Sequence, residues 1–431
     1  MKRKIDKKLS EWKAAADRKP LIVDGARQVG KTYALTKFAK EHYENYVHVN
    51  LDLNGRIQSS IQEDISPASI IRIVEAETHK RVIPHKTLLI FDEVQASERA
   101  LASLKYFYED APEYHVAAAG SLFGVAVNRE RYSFPVGRVS TVHMYPMDFE
   151  EYLVARDEAF LCDEIKESYA KGQSLPAILH ARAIDLYHEY LICGGMPACV
   201  AARAKEASLL DIPTLQAEIV NNYIADMAKY ASATETVKIR ACYDSIPAQL
   251  AKDNKKFQYK VVRKGGSAGI FGASIEWLRL AGIVLRCQNI EQGYIPLSAY
   301  VDFAAFKLYM SDVGLLTMKT ALPHSIILMS AENTFMGAVT ENYIAQQLTA
   351  MGQDLYYWTS AGRAELDFVI QSREKLTAIE VKRGLHTKGK SLRMFQSKYA
   401  PDECVRLSLK NFGIQGGIRA VPLYAVFCLE L

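Results

Sequence analysis

At 431 residues, 49% hydrophobic and 24% charged, the chain has the composition of ordinary folded protein and the length for two to four domains, with no internal repeat or low-complexity tract. A net charge of +4 is too mild to require a nucleic-acid partner, and no apolar run approaches the length that spans a bilayer. Seven scattered cysteines, with no C-x-x-C pair and no histidines at metal spacing, suggest neither disulfides nor zinc; the basic start leads into no signal-like stretch, so the expected location is cytoplasmic, with no membrane partner.

The first predicted strand is Leu21-Ile22-Val23, and it runs into Gly25-Ala26-Arg27-Gln28-Val29-Gly30-Lys31-Thr32, a complete G-x-x-x-x-G-K-[ST] phosphate loop followed by a helical stretch from Lys31 to His42. Its glycines let the backbone curl so that amide N–H groups and the helix N-terminus face a triphosphate. Lys31 is expected to reach the β and γ phosphates and Thr32 to place its hydroxyl on Mg2+, making ATP and Mg2+ the expected cofactors. The next apolar strand, Thr87-Leu88-Leu89-Ile90-Phe91-Asp92-Glu93, ends in two acids. Beside a phosphate loop, Asp92 is expected to hold Mg2+ through its water shell and Glu93 to polarise the attacking water.

A third strand, His115 to Ala119, runs into Gly120-Ser121, which puts Ser121 at the same sheet edge as a candidate sensor of the γ phosphate. Ser133-Phe134-Pro135-Val136-Gly137-Arg138 follows. Arg138 is either a cation that senses or neutralises transition-state charge, in its own subunit or across an interface, or a surface loop arginine.

From about Asp163 to Tyr230 the spacing is helical, interrupted at Gly194-Gly195; on its own terms Pro197 marks a helix boundary. Phe271, Ile275, Leu278 and Gly282 suit an amphipathic helix closed by glycine, and Ile283-Val284-Leu285 begins a strand. Helices followed by a hairpin match a winged-helix module. Its approach carries Lys252, Lys255, Lys256, Lys260, Arg263 and Lys264, either a contact surface for DNA phosphates or a solvated basic loop.

After Asn333 the pattern becomes helix, strands, helix. Arg363 to Ile370 and Leu376 to Lys382 read as two strands joined by a polar turn; alternation puts Glu380 and Lys382 on one side, with Asp367 brought beside them. In this D...E-x-K arrangement two carboxylates bind Mg2+ beside a scissile phosphate and the lysine orients water. Glu341 lies on the apolar stripe of Ala338, Ile344, Ala345 and Leu348, where an acid needs a partner. A basic run, Lys382, Arg383, Lys388, Lys390 and Arg393, is adjacent, and Gln396 and Tyr399 follow at a spacing shorter than the Q-x-x-x-Y pattern of one nuclease branch.

Two resemblances rest on these residues. G-A-R-Q-V-G-K-T, L-L-I-F-D-E-V-Q, the A-G-S strand end, F-P-V-G-R, Y-P-M-D-F-E-E-Y-L at 145–153 and G-G-M-P at 194–197 together resemble a prokaryotic family of AAA+ type ATPases that join a P-loop core to a C-terminal domain of unknown function. That resemblance covers essentially the full chain; it implies Mg-ATP binding, possible nucleotide-driven assembly and a Gly-Pro turn near the adenine, which assigns that contact to Pro197. Lys307 to Leu315 also matches a family segment, without a chemical role. The C-terminal pattern resembles the PD-(D/E)xK nuclease fold, in which an acid on the first helix, here Glu341, completes a metal site with Asp367 and Glu380.

The expected architecture is α/β: a P-loop NTPase core (AAA+ like) with a parallel sheet at 1–155, a helical lid at 156–235, a winged-helix-like middle at 236–318, and a restriction-endonuclease-like α/β domain at 319–431. The leading expectation is an ATPase that couples nucleotide state to a nuclease-like module acting on or docking to nucleic acid. The alternatives are a nucleotide-dependent switch that binds DNA or protein without cutting, and an ATPase working on a protein partner, its terminal acids purely structural.

Overall fold

The computed structural model describes residues 1–121, 135–360, 364–384 and 389–431. Ser133, Phe134, Arg363 and Lys388 lie outside the described residues. The chain divides into two compact units, Lys2–Tyr145 with Leu280–Gly282, and Pro146–Arg279 with Ile283–Leu431.

In the first unit, β1 (Leu21–Asp24), β2 (Asn45–Asn50), β3 (Thr87–Asp92), β4 (His115–Ala119) and β5 (Ser140–His143) form a sheet in the order β2-β3-β4-β1-β5. Every pairing is parallel. All residues of β3 and β4 are buried, as expected for strands covered on both faces. On one face Ile22, Val47, Leu89, Phe91 and Val116 pack against apolar residues of the helices Gly55–Glu63, Pro67–Thr78 and Glu98–Asp110. Because all five strands point one way, their C-terminal ends gather Asp24, Asp92 and the chain leading to Ser121 along one edge, where open α/β sheets bind ligands.

The second unit begins with helices, among them Phe149–Ala155, Ala159–Lys171, Ala177–Cys193, Pro197–Ala204 and Ile212–Tyr230, in the region expected to be a lid. The segments 145–153 and 194–197 hold each other: Met147 N donates to Gly195 O (2.7 Å), and Asp148 caps the helix Phe149–Ala155 by accepting from Glu151 N (2.9 Å). Any Cβ at Gly195 would sit 1.9 Å from Met147 O, so the glycine is required by close backbone approach. Asp312, fully buried, accepts from Gly195 N (2.6 Å) and caps the helix Val313–Thr320 through Leu315 N (3.0 Å). The segment Lys307–Leu315 thus gains a structural role, tying the helices to the sheet.

That sheet has eight strands: β6 (Val284–Ile290), β7 (Val301–Met310), β8 (Tyr356–Thr359), β9 (Glu365–Ser372), β10 (Lys375–Val381), β11 (Glu403–Ser408), β12 (Gly413–Gln415) and β13 (Ile418–Pro422), in the order β12-β13-β11-β10-β9-β8-β6-β7. The helix Ala268–Leu280 is followed by the β6–β7 hairpin. The hairpin is not a free wing, however. Its β6 edge pairs in parallel with β8, so a boundary at 318–319 would cut through one hydrogen-bonded sheet. An edge strand with buried residues needs its N–H and C=O groups satisfied, and β8 supplies the partners.

Six cysteines, Cys162, Cys193, Cys199, Cys242, Cys287 and Cys404, are buried free thiols. Among the described residues no helix is long and apolar enough to cross a membrane.

Candidate active site

The phosphate loop leaves the C-terminal end of β1. Gly25 has φ +132° and a Cβ there would meet Met144 O at 2.1 Å, while Gly30, at φ +96°, caps the helix Lys31–His42. Both positions require glycine. Lys31 is buried, and its Nζ donates to Gly25 O (2.9 Å) and Ala26 O (2.8 Å). Burial lowers its pKa to about 8 against the opposing pull of Glu93, Asp92 and Asp24. A triphosphate in the loop would supply this buried ammonium with a counter-charge in direct contact.

Around Asp92 the partners are different in kind. Thr32 Oγ1 donates to Asp92 Oδ2 (2.9 Å), and His48 Nε2 lies 3.1 Å from the same oxygen. Burial pushes the Asp92 carboxyl up, but the hydrogen bonds from His48 and Thr32 outweigh it and hold its pKa below the usual value. A hydroxyl and an ionised carboxylate at contact distance are the hard oxygen donors Mg2+ takes, so Thr32 and Asp92 fit the ion. Glu93 stands at φ +51°, a left-handed conformation costing a non-glycine residue about 1 kcal/mol and characteristic of functional positions. Its Oε2 accepts from Ser121 Oγ (3.1 Å) and from the Gln95 side-chain amide. The structure thereby brings Lys31, Thr32, Asp92, Glu93 and Ser121 to one sheet edge and adds His48 and Gln95, which sequence reasoning missed. His48 could be found only by knowing that β2 lies beside β3.

Arg138 is placed elsewhere. It precedes β5, whose Ser140 aligns with Leu21 at the start of β1, so it lies at the sheet edge opposite the phosphate loop. Its Nε is 3.0 Å from Glu109 Oε1 and its guanidinium lies 5.7 Å from the Tyr108 ring centroid. A sensor role within its own subunit is not built here. Pro197 opens the helix Pro197–Ala204 at its first turn, where its fixed φ and missing N–H are tolerated.

In the second unit, β9 and β10 are antiparallel with Phe368 opposite Ile379, which carries Asp367 beside Glu380. Asp367 Oδ2 accepts from Val381 N (2.7 Å). Glu380 lies 3.0 Å from Arg406 Nε and 3.3 Å from Lys382 Nζ. Glu341 is paired with Lys255 and lies 3.7 Å from Lys307 Nζ, while Tyr309 Oη donates to its second oxygen (3.2 Å). Burial opposes ionisation of Glu341, but the Lys307 and Lys255 ammonium groups prevail and lower its pKa. Burial, with repulsion from Glu341, raises Asp367 to about 7.

The donor set expected to hold a metal, Glu341, Asp367 and Glu380, does not fit one as arranged: Glu341 and Glu380 already face lysine or arginine. Among the described residues no group of three His, Cys, Asp or Glu is arranged to hold a metal ion. Lys255 is likewise committed to Glu341 rather than offered to phosphates, and Arg383 Nη1 donates to Asn333 O (2.6 Å). Tyr399 is core, packed on Phe395 and Trp358 with ring centroids 4.8 and 5.8 Å away.

The phosphate loop, the acid-tipped strand and the parallel sheet define a P-loop ATPase of AAA type, and residues 17–153 match the family model of an AAA domain. The first unit is thus a nucleotide-binding ATPase domain. Residues 184–325 and 336–426 match two domains of unknown function, DUF8612 and DUF4143. No curated protein matches the chain by sequence. Among solved structures, a Walker-type ATPase of Pyrococcus abyssi is similar at 15% identity, covering 74% of this chain and 95% of that one, with a TM-score of 0.45. The Aeropyrum pernix ORC2 protein is similar at 12% identity over 77% of this chain and 92% of that one, with a TM-score of 0.32. The Thermotoga maritima RuvB Holliday junction branch migration motor matches at 15% identity over 65% and 88%, with a TM-score of 0.31.

Proposed function

We propose that this protein is a nucleotide-dependent switch: its AAA domain binds and hydrolyses Mg-ATP, and its nuclease-like C-terminal region docks nucleic acid without cutting it. The observation that carries the ATPase half is the Thr32–Asp92 contact beside Lys31, with Glu93 held next to Ser121. In this reading Mg2+ bound near Thr32 and Asp92 neutralises developing phosphate charge, Glu93 orients the attacking water, and Ser121 reports the γ phosphate. Release of Glu93 from Ser121 and Gln95 accompanies nucleotide loading. Arg138 acts across an interface between copies.

The non-cleaving half is supported by the pairing of Glu341 and Glu380 with Lys255, Lys307, Arg406 and Lys382. Exposed Lys260, Arg263 and Lys264, with exposed Lys390 and Arg393, are basic groups available to meet phosphates. Phosphate-release and nucleotide-binding assays test the first half: Lys31→Ala should lose binding, and Glu93→Gln should bind but not turn over. Unchanged hydrolysis in either removes the assignment. For the second half, wild type should bind DNA in a salt-dependent way that Lys260→Ala/Arg263→Ala/Lys264→Ala weakens, and leave linear, circular and single-stranded DNA intact with Mg2+ or Mn2+; absence of DNA binding turns the reading to a protein partner.

A further inference from the structure

The expected metal site lies next to an unusual lysine. Lys307 is on β7 among buried residues and is itself 0% exposed. Its ammonium lies 2.5 Å from Glu365 Oε1 and 3.7 Å from Glu341 Oε2, and sits 4.8 Å from the centroid of the Tyr357 ring. It also feels Asp367, two residues along β9 from Glu365. Burying an ammonium completely is strongly unfavourable unless several acids surround it. Here Glu341 and Glu365 lie against the ammonium and favour its charged form.

These contacts bring two carboxylates, Glu341 and Glu365, onto one cation that the chain itself provides, with Asp367 close by on the same strand as Glu365. We propose that the Lys307 ammonium is the resident cation of the nuclease-like carboxylate cluster, standing where that chemistry calls for a divalent metal, so that the wild-type cluster takes none. This deepens, and rests on, the non-cleaving reading of the C-terminal region. The pairing supports it. Lys307 and Lys255 are ion-paired with Glu341 and Glu365, so a divalent ion would have to displace ammonium groups already seated on these oxygens. Mg2+ also demands several oxygens at about 2.0–2.1 Å in octahedral array, whereas the Glu341 and Glu365 oxygens already serve lysines. Removing Lys307 would leave Glu365 without its cation, Glu341 with Lys255 alone, and a space of ammonium size between them.

The test is Mn2+ binding to the full-length, nucleotide-free protein, followed by electron paramagnetic resonance, in wild type, Asp367→Asn, Lys307→Ala and the Lys307→Ala/Asp367→Asn double variant. Wild type and Asp367→Asn should bind Mn2+ equally. Lys307→Ala should gain one site at least about tenfold tighter than any in wild type, and the double variant should lose it. Wild-type Mn2+ binding that Asp367→Asn diminishes overturns the proposal, as does a folded Lys307→Ala variant that gains nothing. Should Lys307→Ala not fold, the comparison of wild type with Asp367→Asn still decides the matter. Parallel incubation with DNA separates the two ideas: Asp367-dependent Mn2+ binding without cleavage sinks the lysine proposal alone, and cleavage that is unaltered in Asp367→Asn sinks the non-cleaving reading alone.

Discussion

The two carboxylate sites of this protein contain similar acids and treat them in opposite ways. At the nucleotide site, Asp92 and Glu93 are held by neutral or lightly basic groups, Thr32, His48, Ser121 and Gln95, and the nearby lysine is parked on the carbonyls of Gly25 and Ala26. In the proposed function their negative charge is left for an incoming Mg-nucleotide. In the C-terminal region, Glu341, Glu365 and Glu380 face Lys255, Lys307, Lys382 and Arg406, so their charge is already neutralised within the chain. Acid spacing alone does not tell whether a carboxylate's charge is neutralised within the chain; the identity of its partners does.

That contrast can be broken in several places. The largest effect is expected from Glu93→Gln, which should lower ATP turnover by about 10²–10⁴-fold with nucleotide binding retained, whereas Glu380→Gln should leave turnover unchanged; phosphate release under saturating ATP checks both. Next comes stability. Glu341→Ala strands buried Lys307 beside a lost partner and should cost about 3–5 kcal/mol in denaturant unfolding of the second unit. Asp92→Asn, whose partners are Thr32 and His48, should cost only about 1 kcal/mol while impairing Mg2+-dependent nucleotide binding.

A third effect is in pH. Lys31 has its folded pKa lowered to about 8 in the absence of ligand, and phosphate contact would raise it, so ATP binding should take up a proton at pH above 8. Affinity should then fall by up to about tenfold per pH unit above that point and be flat with respect to this group below it, as titration of a non-hydrolysable analogue from pH 7 to 9.5 would reveal. The smallest effect concerns Asp367, whose folded pKa is raised to about 7 by burial first and Glu341 second. A raised carboxyl pKa means the folded state binds more protons, so this group's contribution to stability is present at low pH and is lost as pH rises from about 4 through 7. Asp367→Asn, which mimics the protonated acid, should unfold at an equal or higher temperature than wild type at pH 8.

The sequence made the nucleotide site legible because its determinants are local. Gly25 and Gly30 are needed for the backbone path itself, and Asp92 and Glu93 end a run of buried strand residues within a few positions. His48 was invisible because its meeting with Asp92 depends on which strand lies next to β3. In the C-terminal region, alternation was enough to bring Asp367 to Glu380 and Glu380 to Lys382. It could not foresee the partners, since Lys255 and Lys307 lie in segments read as a basic approach and as a stretch without chemistry. The joining of β6 to β8 escaped for the same reason: the hairpin is recognisable in sequence, while the strand that completes its edge is chosen by tertiary packing.

The most direct test puts both sites in one tube: wild-type protein with ATP, Mg2+ and linear plasmid DNA, monitored for phosphate and for DNA length. Phosphate release that Lys31→Ala abolishes, with the DNA intact throughout, is the expected result; DNA shortening that disappears in Asp367→Asn or Glu380→Gln would contradict the account.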